Sequence, residues 1–319
     1  GDGLGLPRDG RGDPGARMML LEAEAVDLHL PGRPGPVLEG VSLGVGAGEI
    51  LALIGESGSG KSLIARAASG FLPEGARIGG ALRVCGVPIG SAGPAGGWGA
   101  LRGRAVAHLF QDARRHLHPA LTVGRQIAQV AARHGTRPEM PEAAIARALP
   151  GALSAGGCQI AALALALATP ARLILADEPT AHLDPPAAGA VLARLRARAA
   201  AGAGVILITQ DLALGRGAAD RVAVIHAGQI VETAPAAGWR PRHPYAAALM
   251  AAMPALAPDL GALRPVAGRM PVPGDAGLPA CRFAPRCPRA GAVCVAARPA
   301  LRALGPGAMV ACHDPEAGR

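Results

Sequence analysis

Aromatic side chains are scarce in this chain: three Phe, two Trp and one Tyr make up 2% of 319 residues. They are not interleaved with basic residues, so the stacking platform of a nucleic-acid binder is missing, and no nucleic-acid partner is expected. Lysine is scarcer still. Of 32 basic residues, Lys61 is the only lysine, and the others are arginine. The net charge of +9 comes from scattered arginines, the pattern of a solvated basic surface. Long apolar runs are missing as well. The longest, residues 160–176, is interrupted by Pro170 and Arg172 and reads as a helix followed by a strand, not as a membrane span. Residues 1–17 contain no apolar h-region and are rich in Gly, Asp, Arg and Pro. They read as a disordered tail without an export signal, with Met18 and Met19 as candidate start residues. Six cysteines in a chain without such a signal point to metal or thiol chemistry over disulfides.

Half of the residues are hydrophobic, enough for one large or two modest domains with a real core. The stretch around which the chain is organised is GESGSGKS, residues 55–62, which fits the phosphate-binding pattern G-x-x-x-x-G-K-[ST]. The preceding ILALI, residues 50–54, reads as a buried parallel strand, and residues 63–69 suit a helix, so the loop lies in the strand–loop–helix context that the pattern requires. Gly55, Gly58 and Gly60 let backbone N–H groups close around an anion without Cβ clashes. Glu56, Ser57, Ser59 and Leu63 complete the candidate nucleotide contacts. Lys61 reaches the β- and γ-phosphates, and the Ser62 hydroxyl is a Mg²⁺ ligand. The blander alternative is a Gly-rich turn that precedes a helix. The lone lysine argues against it: where arginine occupies every other basic position, a compact point charge is retained here.

Strands are expected over residues 20–28, 37–45, 81–87, 105–110, 173–176, 205–209 and 222–225, and helices over 121–134, 141–149, 158–168 and 185–200. Residues 91–99 read as a flexible loop and 150–157 as a turn. Strands alternating with helices predict an α/β fold with a mainly parallel sheet covered on both faces, and catalytic groups at strand C-termini. One such end is Asp177-Glu178, which follows an apolar strand. Asp177 suits Mg²⁺, directly or through water, and Glu178 suits polarisation of an attacking water.

With these elements in place, the chain resembles the ATP-binding subunits of ABC transporters, and more narrowly those of dipeptide, oligopeptide and nickel importers. The strings that carry the resemblance are GESGSGKS, FQD at 110–112, HPALTVGRQIA at 118–128, LILADEPTAHLD at 173–184, ITQDL at 208–212 and DRVAVIHAGQIVE at 220–232. RHPYAAALMAAMP at 242–254 and CRFAPRCP at 281–288 narrow it to that group. The resemblance covers residue 20 to the end. It implies a P-loop NTPase fold with a mainly parallel sheet, an antiparallel β N-terminal subdomain, a shortened α-helical subdomain and a small Cys-containing C-terminal extension. It divides the chain into an ATP-binding domain over 18–254 and the extension over 255–319. It implies ATP hydrolysis coupled to import of peptides, nickel or similar small solutes at the cytoplasmic face of the inner membrane. Partners implied are two permease subunits, a head-to-tail second copy or a paralogous ATP-binding subunit and, indirectly, an external solute-binding protein. By the same resemblance, Gln111 is a Q-loop residue that senses Mg²⁺ and the γ-phosphate. Asp184 is a D-loop residue that crosses the dimer interface, while Ser154 and Gly156 belong to the LSGGQ-type motif that reaches the partner's ATP.

The resemblance breaks at named positions. The LSGGQ-type motif is LSAGG at 153–157, with Ala155 in place of the first glycine; a shifted register that puts Gly156 and Gly157 in that role requires a local bulge. The family's switch histidine is Gln210, which can hydrogen-bond a γ-phosphate but carries no transferable proton. The segment between Gln111 and Ser154 is short for the family. These departures predict ATP binding with slow hydrolysis, or a hydrolysis-impaired subunit with a structural or regulatory role. Residues 18–54 contain no aromatic ring on which adenine could stack, and His29 is the substitute candidate or simply a surface residue.

Cys281, Cys287, Cys294 and Cys312 are four thiols near the end of the chain, a set that suits a tetrahedral metal or Fe–S site. The resemblance favours a [4Fe–4S] cluster; Zn²⁺ and unligated thiols are the alternatives, and spacing without a C-x-x-C pair does not decide among them. Cys85 and Cys158 lie in apolar surroundings and read as buried small residues.

Overall fold

Two sheets grow from two different apolar patterns. In β1 (Met19–His29) and β2 (Leu38–Gly46), buried side chains alternate with more exposed ones, as expected for strands with one face on a core. They pair antiparallel, and β4 (Arg77–Val84) and the short β5 (Val87–Pro88) extend the sheet in the order β2-β1-β4-β5. By contrast β3 (Ile50–Ile54) is buried at all five positions, the mark of a strand covered on both faces. The computed structural model describes residues 18–254 and 263–315, so the tail expected over 1–17 lies outside the described residues.

Around β3 the second sheet assembles from β6 (Val106–Leu109), β7 (Leu173–Asp177), β8 (Gly204–Thr209) and β9 (Arg221–His226), all parallel. Its order is β11-β12-β10-β9-β3-β8-β7-β6, where β10 (Gln229–Pro235), β11 (Arg302–Ala303) and β12 (Met309–Val310) add antiparallel strands beyond β9. The sheet is therefore parallel through its functional centre and antiparallel at one edge. The C-terminal segment completes that edge, so it is built into the body of the molecule.

The helices are α1 (Lys61–Ser69), α2 (Trp98–Leu101), α3 (Val123–His134), α4 (Ala143–Arg147), α5 (Ala155–Leu167), α6 (Pro185–Ala200), α7 (Leu212–Ala218), α8 (Pro244–Ala251) and α9 (Ala292–Ala296). One core joins the first sheet to α1 and one face of the second sheet, through Leu53, Leu175, Ile208 and Ile225. On the opposite face, Val191 and Leu195 of α6 pack over Ile174 and Val205. Tyr245 of α8 and Phe283 cover Val222 and Val224 in a third core. A separate small core joins Val123 and Ile127 of α3 to Ala161 and Ala164 of α5. No helix among the described residues is long and apolar enough to cross a membrane.

Three expectations are corrected. The strand read over 81–87 is two strands with a turn at 85–86. The residues after Gly228, which carried no strand expectation, form β10, a nearly fully buried partner of β9. Its Glu232 broke the apolar pattern, but that carboxylate is buried because Trp239 Nε1 and the backbone N–H groups of Arg242 and His243 donate to it at 2.7, 2.9 and 2.7 Å. Finally, the turn over 150–157 ends early. Helix α5 begins at Ala155, not at 158, because the Ser154 hydroxyl accepts from Gly157 N at 3.0 Å and caps it. Two glycines in the first turn hid that start.

Candidate active site

The phosphate loop leaves β3 at Ile54 and returns into α1 at Lys61. Gly60 sits at φ 107°, a conformation that side chains disfavour, and an added Cβ would lie 3.0 Å from Leu38 Cδ2. The turn delivers the N-terminus of α1, whose first turn carries no acidic residue, toward the loop's concave side. Free N–H groups and the helix dipole both favour an anion there. Lys61 is buried, and its Nζ donates to the carbonyls of Gly55 and Glu56 at 2.7 and 2.9 Å. Burial pulls its pKa down, while Glu178, Asp177 and Glu56 pull it back up. The three carboxylates face the ammonium and offset part of the effect of burial.

The acidic pair stands at the end of β7. Asp177 is buried and its pKa is raised by that burial, against a hydrogen bond with the Ser62 hydroxyl and the charge of Lys61. Glu178 is held in a left-handed conformation, φ 49°, that a non-glycine residue adopts only under constraint. The constraints are visible. Its N–H donates to Ile208 O at 2.9 Å, its carbonyl accepts from Gln159 Nε2 at 3.2 Å, and its Oε1 accepts from Gln210 N at 3.0 Å. Burial raises the Glu178 pKa too, offset by Lys61, the Gln210 N–H and the Thr209 hydroxyl. A carboxylate whose pKa is raised by burial, at the edge of a cleft, is suited to accept a proton.

A cleft of about 190 Å³ brings these parts together: Ser57, Gly58, Gly60, Lys61, Ser62 and Leu63 on one side, Gln111, Asp177, Glu178 and Gln210 on the other. Lys61 and Asp177, far apart in sequence, thus line one cleft. The Ser62 hydroxyl, the Asp177 carboxylate and the Gln111 amide offer the oxygen donors that Mg²⁺ prefers. Gly55, Glu56 and Ser59 belong to the loop but do not line the cleft, and Ser59 is fully buried.

Ser154, Gly156 and Asp184 do not line this cleft. Ser154 and Asp184 are instead N-caps, the latter accepting from Ala187 N at 2.8 Å to start α6. Ala155 is the first residue of a regular α5, which follows directly on the Ser154 cap. Gly156 permits a close approach: an added Cβ would lie 2.9 Å from His182 O. His29 closes β1 at the strand end and does not line the cleft.

Sequence reading missed Gln159, which ties α5 to Glu178, and Tyr245, whose hydroxyl accepts from Glu56 N at 2.9 Å. Tyr245 is the only tyrosine of the chain, as Lys61 is its only lysine, and that rarity was the available signal. All four C-terminal cysteines line one small pocket of about 20 Å³ together with His243, His313 and Asp314. Burial first, then the neighbouring thiols, raise the pKa of Cys281 and Cys312. Among the described residues, however, no group of three or more His, Cys, Asp or Glu is arranged to hold a metal ion. The sulfurs are neighbours without a coordination geometry. Cys85 and Cys158 are buried, as expected.

The fold agrees with comparisons to known proteins. The ABC transporter family profile matches residues 38–181, and the oligopeptide/dipeptide transporter C-terminal region matches 231–294. The dipeptide transport ATP-binding protein DppD of Escherichia coli (strain K12) is 34% identical over 95% of this chain and 99% of its own. The oligopeptide transport ATP-binding protein AppD of Bacillus subtilis (strain 168) is 32% identical, covering 88% and 91%. The oligopeptide transport ATP-binding protein OppD of Mycobacterium tuberculosis (strain ATCC 25618 / H37Rv) is 37% identical over 92% of this chain, which spans about half, 51%, of that longer relative. Among solved structures, an ATP-binding subunit of an ABC transporter has a TM-score of 0.58 at 26% identity, covering 68% of this chain and 90% of that one. An ATP-binding cassette dimer bound to ADP and Pi has a TM-score of 0.59 at 22% identity, covering 69% and 100%. This chain belongs to the ABC transporter family, in the group of ATP-binding proteins that carry the oligopeptide/dipeptide transporter C-terminal region.

Proposed function

We propose that this chain binds Mg-ATP in the Lys61–Asp177 cleft and hydrolyses it to energise an importer of peptides or similar small solutes. The observation that carries the reading is the convergence of the phosphate loop with Ser62, Gln111, Asp177, Glu178 and Gln210 in one cleft. Lys61 and the loop N–H groups hold the phosphates, and Ser62, Asp177 and Gln111 hold Mg²⁺, which would neutralise charge developing on the phosphates. Glu178, anchored by Ile208, Gln159 and Gln210, orients the attacking water and takes its proton. The named relatives support peptides as the transported class. Head-to-tail pairing with a second ATP-binding chain, docking on two permease subunits at the cytoplasmic membrane face and an ATP-binding domain over 18–254 with its extension over 255–319 belong to the same reading.

A second reading is favoured by Ala155 and Gln210: a nucleotide-binding partner whose companion hydrolyses. Glu178→Gln separates the two in the assembled transporter. Transport collapses under the first reading and is nearly unchanged under the second. We also infer that Cys281, Cys287, Cys294 and Cys312 carry a metal or [4Fe–4S] cluster, supported by their convergence on one pocket. Iron and sulfide analysis of anaerobically purified protein tests this, and colourless, iron-free protein removes the cluster.

A further inference from the structure

The phosphate loop contains one carboxylate, Glu56, and the chain's C-terminal segment supplies its counter-charge. Arg286 Nη1 and Nη2 donate to Glu56 Oε2 and Oε1 at 2.7 and 3.0 Å, a parallel two-bond fork. Its Nε donates to Ala267 O at 2.6 Å. The Arg286 side chain is 2% exposed, against 28% for Glu56. Nearby, Arg282 pairs with Glu39 at 2.7 Å and donates to the carbonyls of Ala227 and Pro36. The N–H of Gly228, the residue after Ala227, donates to Ser59 O at 2.8 Å. One short segment between Cys281 and Cys287 thus grips the loop at Glu56 and, through the 227–228 turn, at Ser59.

We propose that Arg286 is a positioning residue of the nucleotide site: it cancels the Glu56 charge, so that Lys61 and the loop N–H groups are offered to phosphate and not to this carboxylate. The proposal rests on the reading of the cleft as a Mg-nucleotide site. Its physical basis is the shared neighbourhood. Glu56 is one of the three carboxylates that act on the Lys61 ammonium, and Lys61 Nζ already bonds the Glu56 carbonyl. A bare Glu56 carboxylate would compete with a polyphosphate for that ammonium and repel it. Paired with a buried guanidinium that has no other carboxylate among its described partners, it does neither.

A purely structural staple makes a different prediction, because breaking a staple from either end has the same effect. Affinity for Mg-ATP is measured by calorimetry on the full chain, below the melting midpoint of each variant. Arg286→Met is expected to weaken binding at least about fivefold. Glu56→Gln is expected not to weaken it, although both variants melt earlier. The double variant recovers the affinity lost in Arg286→Met. Asp275→Asn, which breaks an exposed pair with Arg33 at 3.1 Å outside the 281–287 segment, leaves affinity unchanged. Equal weakening in Arg286→Met and Glu56→Gln, or no weakening in Arg286→Met, overturns the proposal. If Arg286→Met does not fold, Glu56→Gln carries the test, and weaker binding in that variant overturns it. Failure of the unaltered chain to bind Mg-ATP removes the reading of the cleft instead.

Discussion

Gln210 donates its backbone N–H to Glu178 Oε1 at 3.0 Å, so position 210 grips the carboxylate proposed as general base through its main chain. The side chain at 210 is free to vary without disturbing that bond. Gln210→Ala therefore isolates the amide's own role. Hydrolysis by the assembled transporter is expected to fall further in Gln210→Ala and to rise in Gln210→His, each by about tenfold, while Mg-ATP binding persists. A rate indifferent to both changes refutes a switch role for this position.

Lys61 is expected to be irreplaceable by arginine. Its Nζ fits between the Gly55 and Glu56 carbonyls at 2.7 and 2.9 Å, a pocket for a compact ammonium and not for a planar fork. Lys61→Arg and Lys61→Ala should both lower affinity for a fluorescent ATP analogue by about a hundredfold. Arginine restoring binding contradicts this.

Asp184 has a measurable structural duty apart from any role at an interface. Its Oδ1 accepts from Ala187 N at 2.8 Å and caps α6. Asp184→Ala should cost about 1 kcal/mol in denaturant unfolding, and Asp184→Asn almost nothing. If the Asn variant is stable yet loses ATPase activity, the charge serves the interface; if it keeps activity, the cap is the whole of it.

Ala155 opens α5 and is exposed, and under the proposed head-to-tail pairing its methyl group would meet the partner's nucleotide. Ala155→Gly should raise steady-state hydrolysis at a helix cost below about 1 kcal/mol. An unchanged rate would show that the methyl does not limit closure.

Acid should destabilise the protein through buried histidines. Burial pushes His108 and His226 from 6.5 down to about 3, and His226 sits 4.3 Å from the Tyr245 ring and 5.2 Å from Phe283. Below 6.5 the unfolded chain takes up these protons, whereas the folded chain does not until about 3, so stability falls as pH drops across that window. Urea titrations at stepped pH should show this fall, with the slope reduced in His226→Phe by up to about 1.4 kcal/mol per pH unit. An unaltered slope means that another group carries the linkage.

The sequence by itself determined the loop, the acidic pair and the strands that carry them. Those signals are local. Five consecutive buried residues in β3 and again in β7 read as covered strands, and the glycines and lone lysine of residues 55–62 state their chemistry within eight positions. Only the tertiary structure decided what holds these parts in place. Gln159 reaches the Glu178 carbonyl from α5, Tyr245 and Arg286 reach Glu56 from the C-terminal third of the chain, and Glu232 is buried because three donors close around it. No spacing rule announces such pairs. They depend on which surfaces the packed sheet brings within hydrogen-bonding distance, and that is fixed only when the whole chain has folded.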